Sequence, residues 1–262
     1  MISHPLPVRT ERVDRLKVRV YDHRDAVGNA AGADVAARIR ELLSKQERVR
    51  MIFASAPSQN EFLQRLVREE GIDWSRITVF HMDEYIGLPK DAPQRFSRYL
   101  MEHLISRVNP GEVHLIDSTR PMEQECRRYG NLIQRAPIDI VCLGIGENGH
   151  LAFNDPPFAD FEDPEVMKPV ELDEVCRLQQ VHDGCFSDIS AVPTRALTLT
   201  IPVLLSGRFL YCIVPGKAKR EAVLSALYGP ISTECPASIL RRHPDCTLYL
   251  DRDAWGVRED HG

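Results

Sequence analysis

The chain has 262 residues, with 33 Lys and Arg against 38 Asp and Glu and a formal net charge of -5. That balance leaves no basic footprint for nucleic acid or an anionic membrane surface, and no apolar run approaches the roughly 20 residues of a membrane span. The length is sufficient for a single α/β domain, 1–262, with a core of its own. Seven cysteines occur without a C-x-x-C pair, several of them, such as Cys142 and Cys212, inside apolar strand patterns. They read as reduced, buried thiols. The first residues, MISHPLPVRTERVDRL, carry charges where a signal peptide needs an apolar core. Both features point to the cytoplasm. Nine scattered histidines, none in an H-E-x-x-H pair, give no metal site.

In chain order, the first predicted strand covers 16–21 and an alanine-rich amphipathic helix covers 25–43. A second strand, 49–54, leads through the turn Ser55-Ala56-Pro57-Ser58 into a helix at about 59–70. The third strand, 77–81, breaks into an acidic turn, and a helix starts near Pro93, whose ring suits a first helical position. Residues 126–134 read as helix, and the branched, apolar run IDIVCLG (138–144) as a strand covered on both faces of a parallel sheet. The stretch 158–189 is acidic and interrupted by Pro164 and Pro169, with weak periodicity until Glu171. It reads as a partly helical lid at about 158–190. Strands at 208–214 and 247–250 follow. Strand and helix alternate with no repeat and no Gly/Pro/Ser linker, the pattern of a doubly wound, mostly parallel, Rossmann-like sheet with helices on both faces.

Two segments carry chemistry. GIGENGHLAFNDP (144–156) follows the buried strand 138–144, and its glycines let the backbone turn sharply and come close to a ligand. It delivers His150 and Asp155, a pair that moves protons near neutral pH. The structural alternative is a glycine turn around a buried, hydrogen-bonded histidine. VFHMDEYIGLP (79–89) places Asp83 and Glu84 beyond the carboxyl end of a strand, where open α/β sheets bind ligands. Taken alone, two adjacent acids there are more often a solvated loop or a helix cap. Together, a carboxylate base and a histidine–carboxylate pair are the parts needed to enolise a sugar beside its carbonyl.

On these residues the chain resembles the glucosamine-6-phosphate deaminase/isomerase family, within the group that also contains the 6-phosphogluconolactonases. MDEYIGLP (82–89) and GIGENGHLAFNDP are its specific motifs, and VPTRALTLTIPVLL (192–205) and PGKAK (215–219) extend the match over most of the length. The resemblance implies turnover of a 2-amino-2-deoxyhexose 6-phosphate, glucosamine 6-phosphate first, to a ketose 6-phosphate and ammonia. His150, held by Asp155 and Asn148, would assist ring opening, and Asp83 would remove the proton from C2. No metal or organic cofactor is implied, because the neighbouring carbonyl already acidifies C2. Glu84 would orient the turn or the substrate, alongside the backbone at Gly149. Two helix starts are candidates for the phosphate. Ser55 and Ser58 follow the second strand, although Ser58 with Glu61 also forms a capping box. Gly216 and Lys219 match the family's glycine and phosphate-binding lysine.

The chain departs from the family pattern in several places. Ala56 and Pro57 replace a glycine pair, which removes one N–H donor. Asn148 stands for an acid, and Asp155 for a glutamate one methylene longer. A lid arginine that contacts phosphate has no clear counterpart: the matching stretch reads HDGCF (182–186), and neither Arg177 nor Arg195 can be placed there from sequence. PPFADFEDPEVMK lacks the basic residues that bind the allosteric sugar in regulated members. Alternatives from other classes are hydrolysis of a sugar-acid lactone phosphate, with His150 activating water, and a non-catalytic sugar-phosphate sensor. Family members range from monomers to hexamers, so a homo-oligomer is compatible with the sequence.

Overall fold

A computed structural model of the protein describes residues 4–156 and 158–256. Residues 1–3 of the segment read above for a signal peptide, and Pro157 of PPFADFEDPEVMK, lie outside the described residues. The strands are β1 (Arg9–Val13), β2 (Leu16–Tyr21), β3 (Val49–Phe53), β4 (Ile77–His81), β5 (Asp83–Tyr85), β6 (Glu112–His114), β7 (Ile140–Leu143), β8 (Met167–Glu171), β9 (Arg195–Leu199), β10 (Phe209–Val214) and β11 (Cys246–Asp251). The α-helices are α1 (Arg24–Leu43), α2 (Asn60–Leu66), α3 (Phe96–Leu100), α4 (Ser106–Val108), α5 (Met122–Gln134), α6 (Glu174–His182), α7 (Ile201–Leu205), α8 (Arg220–Tyr228) and α9 (Arg252–Trp255).

Eight strands form the main sheet in the order β1-β2-β11-β10-β7-β3-β4-β6. Every neighbouring pair from β2 to β6 is parallel, and only β1 joins antiparallel. The doubly wound reading therefore holds. Central strands alternate between two cores: Val141 and Leu143 of β7 face one, Ile140 and Cys142 the other. Helices α5, α7 and α8 cover the first face, and α1 and α2 the second. Each large apolar side chain so buried contributes about 1.5–3 kcal/mol relative to exposure.

The winding sets the position of the site. After β3 the chain moves outward through β4 to β6, and after β7 it moves the opposite way through β10 to β11. Adjacent β3 and β7 thus form the topological switch point, where the loops at the strand carboxyl ends part and leave a crevice. The loops after β10 and β4 flank it.

A second, antiparallel sheet of three short strands, β5-β9-β8, was not expected from the sequence. The MDEY segment is a strand paired with β9, not an acidic turn, with Asp83 opposite Thr198 and Tyr85 opposite Ala196. Within the 158–190 segment Met167–Glu171 is likewise β8, an edge strand against β9, and α6 follows it. A separate small core seats this segment: Tyr85, Phe96, Phe153 and Phe186 pack with Cys176 and Val192. The Tyr85 ring lies 5.4 Å from Phe153 and 5.5 Å from Phe186.

Other boundaries also moved. The helix expected near Pro93 starts at Phe96, because buried Glu84 accepts hydrogen bonds from the Phe96 and Ser97 amides and so caps its first turn. The Ser58–Glu61 capping box does not form. Residues Pro57–Gln59 make a 3₁₀ turn ahead of α2, which ends at Leu66 rather than near residue 70, and Glu61 pairs instead with Arg24 across at α1, 2.8 Å away. No described helix is long and apolar enough to cross a membrane, and all seven cysteines are free thiols.

Candidate active site

Four carboxyl-terminal loops, after β10, β7, β3 and β4, converge on one cleft of about 530 Å³, open solvent at its mouth included. Ser55 and Ser58 reach it from the β3 loop, Asp83 from β5, His150 from the β7 loop and Lys219 from the β10 loop. Five of the ten residues singled out from the sequence thus meet on one surface, although up to 164 positions separate them in the chain.

His150 is held from behind. Its Nδ1 lies 2.7 Å from Asn148 Oδ1 and 3.0 Å from Asp155 Oδ1. Both partners are acceptors, so Nδ1 carries the proton and neutral Nε2 is left as the acceptor. Asn148 Nδ2 donates to Asp155 Oδ1 at 2.9 Å, and the His150 amide donates to Asn148 Oδ1. Burial works to raise the Asp155 carboxyl, but the charge and hydrogen bond of His150, with further bonds from Asn148 and Cys176, hold it below the usual aspartate range. Asp155 is therefore an ion in the folded protein. The imidazole lies flat over Gly146, where a Cβ would fall 2.1–2.3 Å from three ring atoms. Only glycine leaves room for this histidine.

Asp83 lines the cleft at 7% exposure, and its carboxylate has no hydrogen-bond partner among the described residues. Burial and then the neighbouring Glu84 push it well above the usual carboxylate range. A desolvated carboxylate with no protein donors is a stronger base than one in water. Glu84 itself stays out of the cleft. It is fully buried, accepts from the Tyr85, Phe96 and Ser97 amides, and lies 3.6 Å from Arg95. Of the two roles expected for it, orienting the turn or the substrate, the geometry fits the first and not a substrate contact: it fixes β5 to α3 and so aims Asp83.

The buried Lys219 ammonium, also on the cleft wall, has no ion-pair or hydrogen-bond partner among the described residues. Burial lowers its proton affinity, against a smaller opposing pull from Asp183 and Glu147. Ser55 Oγ, on the same cleft, is buried and likewise unpartnered. An unpaired cation and a free hydroxyl on the wall of one cleft fit an anion. Gly216 is not a donor to that anion. Its φ of 100° shapes the turn, and its N–H is spent on the Asp251 carboxylate at 3.0 Å. Gly149, at φ 86°, also shapes its loop without lining the cleft, its carbonyl accepting from the Ala237 amide.

Neither arginine considered for the missing lid contact reaches the cleft. Arg177 donates to the Ile189 and Val192 carbonyls, and Arg195 pairs with Glu171 at 3.0 Å. Sequence reasoning missed Gln59, Phe96, Gln179 and Gln180, which line the cleft. Nothing in the local pattern marks a glutamine as a site residue. Phe96 was discoverable only through the aromatic packing that seats it. Among the described residues, His150, Asp155 and Cys176 bring potential metal-ligand atoms within 4.8 Å of one another. A cation there would have to displace the proton that His150 directs at Asp155.

A glycine-bedded histidine and an unpaired carboxylate line the same cleft at the switch point. Residues 22–249 match the family model described as glucosamine-6-phosphate isomerases/6-phosphogluconolactonase. The chain belongs to that family. It is 39% identical over 203 residues to glucosamine-6-phosphate deaminase 1 of Giardia intestinalis, covering 74% of this chain and 73% of that one. Glucosamine-6-phosphate deaminase 2 of the same organism is 37% identical over 238 residues, 86% and 87% of the two chains. Among solved structures, a monomeric glucosamine-6-phosphate deaminase superposes with a TM-score of 0.84 at 30% identity, over 92% of this chain and 99% of that one. A 6-phosphogluconolactonase from Thermotoga maritima reaches a TM-score of 0.74 at 20% identity, over 90% and 99%. The lactonase likeness describes the fold alone. Within the family, the percent identities favour the deaminases.

Proposed function

We propose that the protein deaminates a 2-amino-2-deoxyhexose 6-phosphate, glucosamine 6-phosphate first, giving a ketose 6-phosphate and ammonia. The observation that carries this reading is Asp83: a carboxylate without protein donors, raised by burial, in the same cleft as the His150–Asp155 pair and the free Lys219 ammonium. A lactonase needs an activated water but has no carbon acid for such a base to deprotonate.

In this mechanism Lys219, Ser55 and Ser58 hold the phosphate. His150 Nε2, left as the acceptor because Nδ1 is turned to Asn148 and the ionised Asp155, takes the anomeric hydroxyl proton and returns it to the ring oxygen, which opens the pyranose. Asp83 then removes the C2 proton, whose acidity the C1 carbonyl supplies. The C2–H electron pair becomes the C1–C2 double bond as the carbonyl pair moves onto O1, which takes a proton from the C2 ammonium, giving a neutral enolamine. Asp83 returns its proton at C1, leaving an imine at C2. Water adds at C2, its oxygen becoming the ketone, and the C–N bond breaks to release ammonia. We also assign the segment 158–190 as a lid, seated on the aromatic cluster of Tyr85, Phe96 and Phe153, that closes the cleft through α6, and we place the protein in the cytoplasm.

Ammonia release from glucosamine, galactosamine and mannosamine 6-phosphates and from their unphosphorylated forms tests the reading, with lactone hydrolysis assayed alongside. Phosphate-dependent release from one of them is the expected result. Lactone hydrolysis that survives Asp83→Ala, with no ammonia from any amino sugar, would overturn it.

A further inference from the structure

The helix α6 puts two glutamines on the cleft wall, and they are not equivalent. Gln179 is committed to the protein: its Oε1 accepts from the Glu147 amide at 2.8 Å and its Nε2 approaches Asp183. Gln180 is 7% exposed, lines the same cleft, and its amide has no hydrogen-bond partner among the described residues. A primary amide on the wall of a cleft, in a largely buried residue and with no protein partner, leaves both its donor and its acceptor open to a ligand. Such a group persists where a ligand completes it.

Its surroundings indicate which part of a ligand it meets. Asp183 is the C-cap residue of α6, three positions after Gln180, and Asp183 and Glu147 both act on the Lys219 ammonium. Gln180 therefore sits in the helix end nearest that ammonium. No arginine lines the cleft, and Lys219 is the one cation among the lining residues described. We propose that Gln180 is a specificity-determining residue, whose neutral amide the helix α6 brings onto the phosphate end of the bound substrate beside Lys219. This rests on the sugar-phosphate reading above and adds to it that the contact from α6 is uncharged. With two acids close to Lys219, a neutral donor grips the phosphate oxygen without a second cation.

The test measures binding as well as turnover, using glucitol 6-phosphate, an open-chain sugar phosphate with no carbonyl to react. Titration calorimetry on the intact protein would compare wild type with Gln180→Leu, which keeps the volume but loses the amide, and with Gln180→Glu, which keeps the shape but places a carboxylate against the phosphate. Losing a hydrogen bond to a charged group should weaken binding about tenfold or more for Gln180→Leu. Like-charge repulsion in a desolvated site should make Gln180→Glu weaker again, by on the order of another tenfold. In the deamination assay the same order should appear in KM, with kcat changed less than KM, and thermal melting of the unliganded variants should stay near that of wild type. A structural role would instead lower the melting temperature and leave the affinity of the folded protein unchanged. Equal affinity in all three proteins overturns the inference and leaves the deaminase reading intact. The expected affinities in a protein that deaminates no amino sugar overturn the deaminase reading and leave Gln180 assigned. A wild type that does not bind the hexitol phosphate overturns both.

Discussion

His150 Nδ1 and Asp155 Oδ1 lie 3.0 Å apart, with the carboxylate fully buried and Asn148 bonded to both partners. The shorter side chain at 155 thus still reaches the imidazole. The loop closes the gap, and Asn148 supplies a fixed bridge where an acid would add a second charge. Asp155→Asn should keep the fold but replace an anion by an amide that can present N–H to Nδ1, turning the ring to the wrong tautomer. A loss of 10²- to 10⁴-fold in kcat, with an unchanged circular dichroism spectrum, is the expected order for removing such an orienting charge. Retention of kcat within a few-fold would show that Asp155 only fills space.

Gly146 makes a related but steric prediction. A Cβ there would occupy the volume of the imidazole, 2.1 Å from Cε1. Gly146→Ala must therefore move the ring, the loop or both, at about 1–3 kcal/mol for overpacking. Because a 1 Å displacement of a catalytic group can cost about a hundredfold in rate, kcat should fall by that order while the melting temperature falls by only a few degrees. A crystal structure of the variant should show His150 rotated away from Asn148.

Asp83 links activity to stability with opposite signs. Its proton affinity in the folded protein is raised, first by burial and then by Glu84. The folded state therefore binds its proton more tightly than the unfolded chain does. The stability this group contributes is present below the ordinary aspartate range and is lost as pH rises through the raised value, because a buried charge must then be made. Asp83→Asn removes that cost. The variant should melt higher than wild type at neutral pH, with the gap closing towards acid, and deamination should be abolished. Catalysis needs the ionised form, so the acid limb of kcat/KM in wild type should lie above the normal carboxylate range. A variant that melts lower than wild type at neutral pH would contradict the assignment of Asp83 as an uncompensated base.

The parts of the fold legible in the sequence were those with strong local causes. The strands β2, β3, β4 and β7 are apolar and branched, and α1 announces itself by its alanines. β1 was missed because RTERV is an edge strand with mostly exposed, polar residues and no apolar period. The second sheet was missed because β5 is three residues long and β8 contains a proline, so neither has a readable pattern until β9 pairs with both. The motifs carrying His150 and Asp83 could be picked out, since glycines and charged residues at strand ends are rare combinations. Which acid faces the cleft followed from the family resemblance and not from the local pattern. Asp83 and Glu84 are adjacent, and their opposite fates depend on the period-2 alternation of a strand that only tertiary pairing creates. Gln180 illustrates the same limit, because its isolation is a property of the folded environment.

Lys219 carries the last prediction. Its ammonium is buried, has no ion-pair partner among the described residues, and is lowered in proton affinity chiefly by desolvation. In the empty protein this charge is a liability, and its cost is relieved where pH approaches the lysine range and the folded state sheds the proton before the unfolded chain does. A bound phosphate supplies the missing counter-charge. Lys219→Met should leave the unliganded protein as stable as wild type or more so, yet raise KM for the phosphorylated substrate by about a hundredfold, the order of a charge-assisted contact in a desolvated site. The unphosphorylated amino sugar should be turned over equally poorly by both proteins. Kinetics on the two substrates, with thermal melting in the presence and absence of inorganic phosphate, separate this from a structural role. If phosphate raises the melting temperature of Lys219→Met as much as that of wild type, the anion is held elsewhere and the four-loop cleft is not its site.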